Sequence, residues 1–369
     1  MEIVTVEGAE PVAIHSPIPT PHHWKVDVKK LLDMNCRLGV IEPVSADMPV
    51  SWCSRMLTTP KKNGTPRIVV DLQALNAVSK RYTHHTPSPW NLACSIPVGM
   101  LKSILDVWNA YHSVLLSRKS RDKTTFLTDL GGRYRYLRAP QGWVGSGNAF
   151  TKRYDEITVG VNEVARCVDD SCLWAPTVVA SFWLVVNYID VCARNGIIFS
   201  PEKFLFAQDA VDFAGYAITL DSVKPTMKIL TAIKDFPTPT SLKGIRGWFG
   251  IIAFVSFAYS LSAVMLPFRD LLTSKKKFYW DNSLDDLFAK TKSYVVDKVV
   301  NGVKMFTTTR RTLLATDWSK SGVGFFLLQK YCECTDLTKA PRCGPGHWQM
   351  VFSGSRFLKD PESRYSPVK

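Results

Sequence analysis

Two adjacent acids, Asp169 and Asp170, sit between two short, largely apolar runs, Val164–Val168 and Cys172–Trp174. Runs of this length, rich in strand-forming residues and interrupted by a polar step, read as the two strands of a hairpin with both carboxylates at its tight turn. Adjacent carboxylates repel unless a cation neutralises them. Hard divalent ions such as Mg²⁺ take oxygen ligands and keep positions open for phosphate oxygens. Acid pairs are also common on exposed turns, and Asp285-Asp286 is read as one of these.

A third acid is placed in a related way. In SILDVWNAYHSVLL, Asp106 ends a short apolar run (Ile104, Leu105) and is followed by Trp108, Asn109 and small residues. An acid at the end of a buried strand is carried on rigid backbone with its carboxylate at the surface of the fold.

The remainder of the chain divides by pattern. The first stretch, to about Trp24, is rich in proline, lacks periodicity and reads as an extended arm. VDVKKLLDMNCRLG has helical apolar spacing and ends on Gly39. Strand-like runs at Ser54–Thr59 and Arg67–Asp71 flank KKNGTP, where Asn63-Gly64 is a strong hairpin signal. From Leu101 to Leu220 short apolar runs alternate with helical patterns, which predicts an α+β domain. FPTPTSLKG marks a change to a mostly helical segment ending near Asn301. A new strand-like start follows at Arg311–Gln329, its alternation broken by a Ser-Lys-Ser-Gly turn. The expected organisation is an arm at 1–25, a main α+β body at 26–235, a helical segment at 236–305 and a further unit from 306 to 369.

With 46% hydrophobic residues and 369 positions the chain can bury a substantial core. Its formal charge of +14 favours a polyanionic partner, nucleic acid or an anionic surface. Nine cysteines at irregular spacing give no disulfide framework, and the N-terminus has no apolar signal region, so an intracellular, cytoplasmic setting is expected. Gly247 to Phe268 runs without a charge until its end and is long enough to span a bilayer. Its serines and its near-terminal proline favour buried helices over a membrane segment.

Six blocks carry the functional reading: TPKKNGTPRIVVDLQALN, LDVWNAYHSVLL, YRYLRAPQGWVGSGNAF, RCVDDSCLW, NGIIFSPEKFLF and VDFAGYAITL, in that order. Together they resemble the fingers and palm of reverse transcriptases, most closely those of the Ty3/gypsy class of LTR retrotransposons. The resemblance is strong over Pro43 to Gly215 and continues to the last residue. It implies a right-hand polymerase fold with fingers and palm at 26–235, a thumb at 236–305 and part of an RNase H-like α/β domain beyond. It also implies an RNA-directed DNA polymerase using two Mg²⁺ ions (or Mn²⁺), deoxynucleoside triphosphates and an RNA or DNA primer–template, with no membrane partner. A virus-like particle or the nucleus are further settings for such an enzyme.

Carried over residue by residue, the resemblance makes Asp106 and Asp169 metal ligands and Asp170 the second acid of the same box. Tyr111 matches the aromatic gate against a ribose 2′-hydroxyl, and Lys61, Lys62 and Arg67 match the grip on the triphosphate. Gln141 lies beneath the incoming sugar, Lys203 matches the proposed general acid to pyrophosphate, and Phe213, Gly215 and Tyr216 match the primer grip. Each has a plainer alternative: a solvated hairpin rim for Arg67 and Lys61, ordinary core for Tyr111, a surface lysine for Lys203.

The chain departs from the family pattern at three places. Cys167 stands where many relatives carry tyrosine in the acid box. The 249–268 segment is less polar than comparable thumbs. In LLATDWSKSGVGFFLLQ, which resembles the first hairpin of a retroelement RNase H domain, Asp317 matches the first acid, but the sequence reaches Lys369 before the next, and Glu362 lies too early to replace it. An incomplete, vestigial hydrolytic site is therefore expected. Cys332, Cys334, Cys343 and His347 have zinc-compatible chemistry at unusual spacing. The alternative reading of the whole is a non-catalytic nucleic-acid-binding remnant of such a polymerase.

Overall fold

The structure is a computed structural model that describes residues 1–61, 63–272, 278–319, 322–332, 347–359 and 361–362. It divides into two compact units, neither continuous in sequence. The first comprises Met1–Pro87, Leu105–Ser171 and Trp183–Phe204; the second comprises Ser88–Ile104, Cys172–Phe182 and Leu205–Lys369.

In the first unit a five-stranded sheet runs in the order Ile41–Val44, Arg133–Tyr136, Phe126–Leu127, Ser54–Pro60, Pro66–Val70. The last two strands form the hairpin expected around Asn63-Gly64, with Thr59 opposite Arg67. Gly64 takes φ +78°, the left-handed conformation glycine adopts without strain, and its N–H donates to Lys61 O at 2.9 Å. The Asn63 side chain closes the turn by accepting from Thr65 N and Oγ1 at 3.2 and 2.7 Å. Lys62, in the same turn, lies outside the described residues.

The helix Lys25–Arg37 packs on this sheet because Val28 and Leu32, one turn apart, are 0% and 1% exposed. Ile3 joins the same core. Isolated bridges Thr5–Ser79 and Ala13–Cys53 anchor the arm.

The second unit holds an antiparallel sheet ordered Val211–Phe213, Tyr216–Ile218, Ser222–Pro225, Val303–Lys304 and a three-stranded sheet ordered Thr312–Trp318, Gly322–Lys330, Trp348–Phe357. The hairpin read at Arg311–Gln329 is therefore present, and its outer strand is almost fully exposed. The uncharged run of 247–268 resolves into the end of a helix, Leu242–Val255, then a single turn, Ser262–Met265, and a 3₁₀ segment, Leu266–Leu272. Ser241 caps the first helix by accepting from Gly244 N at 3.2 Å, and Ile245, Trp248, Ile252 and Val255 form its buried stripe. Among the described residues no helix is long and apolar enough to cross a membrane.

Asp285-Asp286 requires a correction. Asp281, not a loop, precedes them: its Oδ1 accepts from Leu284 N at 3.0 Å and caps the helix Asn282–Val299. The pair is exposed but lies in that helix, with Asp285 in its first turn, where negative charge meets the positive end of the peptide dipoles. Asp285 also accepts from Trp280 Nε1 at 2.9 Å.

A fourth sheet is ordered Val164–Cys167, Asp170–Ala175, Leu101–Asp106, Leu205–Gln208. Its Leu105 and Asp106, and the hairpin as far as Ser171, belong to the first unit.

Candidate active site

The first unit contains a cleft of about 550 Å³ lined by Arg67, Asp106, Tyr111, Gln141, Asp169 and Lys203, among others. Those six residues come from five of the six sequence blocks. Local backbone explains why each arrives there.

Asp106 ends its strand with only 8% exposure. Ser200 N donates to its carbonyl at 2.8 Å, and Val107 N donates to Asp169 O at 2.9 Å, so main-chain bonds tie the two acid-bearing segments together. Asp169 is exposed, whereas Asp170 begins the next strand and is half-buried. Val168, just before them, adopts φ +59°. A β-branched residue in the left-handed region is strained by about 1–3 kcal/mol and persists only where its surroundings enforce it.

The electrostatics are those of a crowded acid site. Burial first, then the charge of Asp169 and the hydrogen bond and charge of Asp106, push Asp170 up to about 6. Lys203, from the 3₁₀ turn Pro201–Lys203, donates from Nζ to Asp106 Oδ2 at 2.7 Å, and this bond raises the lysine further. Among the described residues no group of three or more His, Cys, Asp or Glu side chains is gathered as a metal cluster. The ammonium already on Asp106 occupies the place a cation would take. The chemistry of the donors suits a hard divalent ion: the Asp106 and Asp169 carboxylates line the cleft, Asp170 follows in the same turn with its carboxyl raised first by burial, and the lysine on Asp106 is 63% exposed at its side chain.

Cys167, where tyrosine is usual, is a neutral neighbour. Burial, then the charges of Asp170 and Asp169, push its thiol up, so it adds no charge beside the acids.

Arg67 is exposed on the hairpin and donates from Nη2 to Gln141 Oε1 at 2.6 Å, joining positions 74 residues apart. Gln141 is presented by the PQGW loop. There Gly142 takes φ +98°, and Asn76 brackets it, donating to Gly142 O at 2.8 Å and accepting from Val144 N at 2.9 Å. Lys61 is exposed at the hairpin end. Tyr111 sits in the 3₁₀ turn Ala110–Ser113, half-buried, with its ring edge-on to Phe150 at 6.2 Å.

Trp108 lines the same cleft at 46% exposure, a residue that the motif reading passed over. Its signal was an indole placed outside any apolar run, two positions after a strand-end acid. Asn109, the next residue, turns the chain at φ +47°, in the left-handed region that asparagine tolerates better than most residues.

Phe213, Gly215 and Tyr216 belong to the second unit. Phe213 and Tyr216 are each 2% exposed, so a grip at this turn would be made by backbone and not by these rings. Tyr216 stacks on Phe254 at 4.6 Å and 5°, and Gly215, at φ +88°, lies against that same ring. Asp317 is exposed on the outer strand of the three-stranded sheet, and its Oδ1 accepts from Trp318 N at 2.8 Å. Glu362 is committed to Arg356, which donates to both its oxygens at 2.6 and 3.0 Å. Cys334 and Cys343 lie outside the described residues, so the zinc constellation has no geometry here.

Residues 59–218 match the family described as "Reverse transcriptase (RNA-dependent DNA polymerase)". That match makes this segment a reverse transcriptase domain. The relatives narrow the class: the chain is 25% identical over 329 residues to the Pol polyprotein of transposon opus and 21% identical over 357 residues to that of transposon gypsy, both from Drosophila melanogaster. It is 24% identical over 304 residues to the transposon Tf2-3 polyprotein of Schizosaccharomyces pombe. These alignments cover 84%, 92% and 81% of the chain but only 32%, 32% and 22% of the relatives, so the chain spans about a third or less of the polyproteins it matches. The chain is thus similar to the Pol polyproteins of Ty3/gypsy-type retrotransposons, with its reverse transcriptase match at residues 59–218.

Solved structures agree on the fold. A foamy viral protease–reverse transcriptase in complex with double-stranded DNA superposes with a TM-score of 0.78 at 16% identity, over 98% of this chain and 60% of that one. The same viral protein with an RNA/DNA hybrid gives 0.73, over 98% and 46%. The α+β polymerase fold implied by the motifs is thereby shown.

Proposed function

We propose that this chain is an RNA-directed DNA polymerase that extends a primer by two-metal-ion nucleotidyl transfer. The single observation that carries the proposal is the convergence of Asp106, Asp169, Lys203, Arg67, Gln141 and Tyr111 on one cleft of the first unit. Asp106, Asp169 and Asp170 would hold two Mg²⁺ ions, with Mn²⁺ as a substitute. Bound there, the ions supply the positive charge that lowers the cost of ionising a primer 3′-hydroxyl and of releasing pyrophosphate.

The chain's own residues do the rest. Arg67, with Lys61 and Lys62, binds the triphosphate through charge-assisted hydrogen bonds. The Arg67–Gln141 bond must open for this, which leaves Gln141 free beneath the sugar. Tyr111, braced on Phe150, closes the space a 2′-hydroxyl would need. Lys203, once free of Asp106, would protonate the leaving pyrophosphate. The turn at Gly215 would contact the primer backbone.

The formal charge of +14 supports a primer–template of RNA and DNA as partner. RNase H chemistry is not expected from residues 306–369: among the described residues Asp317 joins no group of three or more acids, histidines or cysteines, and Glu362 is engaged by Arg356. A cellular setting inside the cell, in the cytoplasm or a virus-like particle, accords with the relatives' being retrotransposon polyproteins.

Extension of a labelled primer on matched RNA and DNA templates, with and without Mg²⁺, tests the proposal. Metal-dependent extension on both supports it; tight, salt-sensitive binding without extension favours the non-catalytic remnant.

A further inference from the structure

Beneath the acid hairpin lies a closed ring of three hydroxyls. Tyr154 OH and Ser171 Oγ are 2.8 Å apart, Ser171 Oγ and Tyr188 OH 2.9 Å, and Tyr188 OH donates to Tyr154 OH at 2.8 Å. The three residues are 1%, 0% and 0% exposed. Each hydroxyl has one proton and can accept at least once, so three hydroxyls in a ring satisfy all three donors with no water. Such a ring is geometrically demanding: moving any one oxygen breaks two bonds in a site that water does not reach.

Its location gives it meaning. Ser171 directly follows Asp170 on the strand Asp170–Ala175, and successive strand side chains point to opposite faces. With Ser171 fixed inward, Asp170 is fixed outward. Tyr154 lies on the helix Ser146–Thr158 and Tyr188 on the helix Val178–Arg194, so two helices hold the one serine. The neighbouring residue on the first of these helices, Asp155, accepts from Arg166 Nε at 2.9 Å, and Arg166 is on the opposite strand of the hairpin. One helix therefore grips both strands on either side of the strained Val168 turn. Tyr154 also stacks on Phe150 at 5.2 Å, the ring that braces Tyr111.

We infer that Ser171, Tyr154 and Tyr188 are positioning residues for the acid site: their hydroxyl ring holds the Asp169-Asp170 turn in the conformation that binds divalent cations. The inference rests on the reading of these acids as metal ligands, and it acts through Ser171 alone, since none of the three hydroxyls lines the cleft.

Tyr154→Phe and Tyr188→Phe test it best, because each removes one oxygen and leaves the ring packing unchanged; Ser171→Ala removes the hub. Thr124→Val is the control. Thr124 is fully buried in the same unit, donates to Arg121 O at 2.7 Å and accepts from Tyr136 N at 3.0 Å, and takes no part in the site. The probe is Mn²⁺ alone, its free concentration read by electron paramagnetic resonance, alongside the Mg²⁺ dependence of primer extension and a melting curve for every variant.

The expected result is a dissociation constant for Mn²⁺ raised about tenfold in each ring variant, the low end of what losing a support behind a metal ligand costs. The Mg²⁺ requirement for extension should shift in parallel, with the KM for primer–template unchanged. Thr124→Val should lower the melting temperature and leave Mn²⁺ affinity alone. Ring variants that melt earlier yet bind Mn²⁺ as the wild type does would overturn the inference, as would an equal loss in Thr124→Val. Should the wild type bind Mn²⁺ with these shifts but extend no primer, the polymerase reading falls and the positioning role stands.

Discussion

Lys203 Nζ lies 2.7 Å from Asp106 Oδ2, so a lysine from 97 positions away holds the acid that the proposed mechanism gives to a divalent cation. On the proposed mechanism the pair would compete with metal binding and hold the proton donor beside its place of use. Lys203→Ala should raise Mn²⁺ affinity, by about two- to fivefold given that only one exposed cation is removed. At saturating metal the same change should slow nucleotide addition by about 10²-fold, the scale of a lost general acid. Titration and single-turnover extension on the same variant measure both. Weaker metal binding together with a normal rate would remove Lys203 from the account.

Gly215 offers a test in the second unit that does not depend on catalysis. A Cβ there would meet Phe254 Cζ at 2.7 Å, and the residue's φ of +88° is strained for any other side chain. Gly215→Ala should cost about 1–3 kcal/mol in chemical denaturation. Phe254→Leu in the same chain should recover part of that loss by opening the contact. A Gly215→Ala variant as stable as the wild type would mean that the turn relaxes.

Much of the site could be read from local pattern, and what could not shares one physical cause. Asp106 at a strand end, the Asp169-Asp170 turn and the Asn63-Gly64 hairpin are encoded by residues within a few positions of one another, so periodicity and turn chemistry reveal them. The Arg67–Gln141 bond, the Lys203–Asp106 pair and the Tyr154–Ser171–Tyr188 ring join residues 17 to 97 positions apart, and no local pattern encodes such closures. Lys102 is the sharpest case. A lysine in a strand reads as solvent-facing, yet it is 0% exposed, donating to Met100 O at 2.9 Å and Asp209 O at 2.8 Å. Asp285-Asp286 was misjudged for a different reason: the cap that starts their helix, Asp281, looks like any other loop aspartate until its partner at Leu284 is known.

His112 should give the first unit a pH-dependent stability. Burial, reinforced by the charge of Arg138, lowers this imidazole to about 4 from an ordinary 6.5. Arg138 Nη1 donates to the His112 carbonyl at 3.0 Å, which sets a guanidinium close by, and the Tyr136 ring lies 6.5 Å away. Between those two values the unfolded chain binds the proton and the folded one does not, so stability is whole above pH 6.5 and declines as pH falls toward 4. Denaturant midpoints from pH 7 to 4.5 should show that slope, worth about 1–3 kcal/mol, and His112→Gln should flatten it. A slope unaltered in the variant assigns the acid sensitivity to other groups.

Tyr111 is expected to set sugar selectivity. Its ring is half-buried and propped by Phe150 at 6.2 Å, a placement suited to a rigid wall. Tyr111→Ala should raise the ratio of ribonucleotide to deoxynucleotide incorporation by about tenfold or more, in line with the discrimination a closely fitted pocket provides. Competition assays with matched triphosphates read it directly. An unchanged ratio would make Tyr111 ordinary packing.

The central claim is that the acid turn performs nucleotidyl transfer. One measurement addresses it most directly: Mg²⁺-dependent primer extension on an RNA template by the wild type and by Asp169→Asn, with melting curves for both. An amide keeps the shape of the carboxylate and loses the charge that holds a cation. The account predicts robust extension by the wild type, a fall of about 10³-fold or more in the variant, and closely similar melting temperatures. Extension by Asp169→Asn at near the wild-type rate would contradict it.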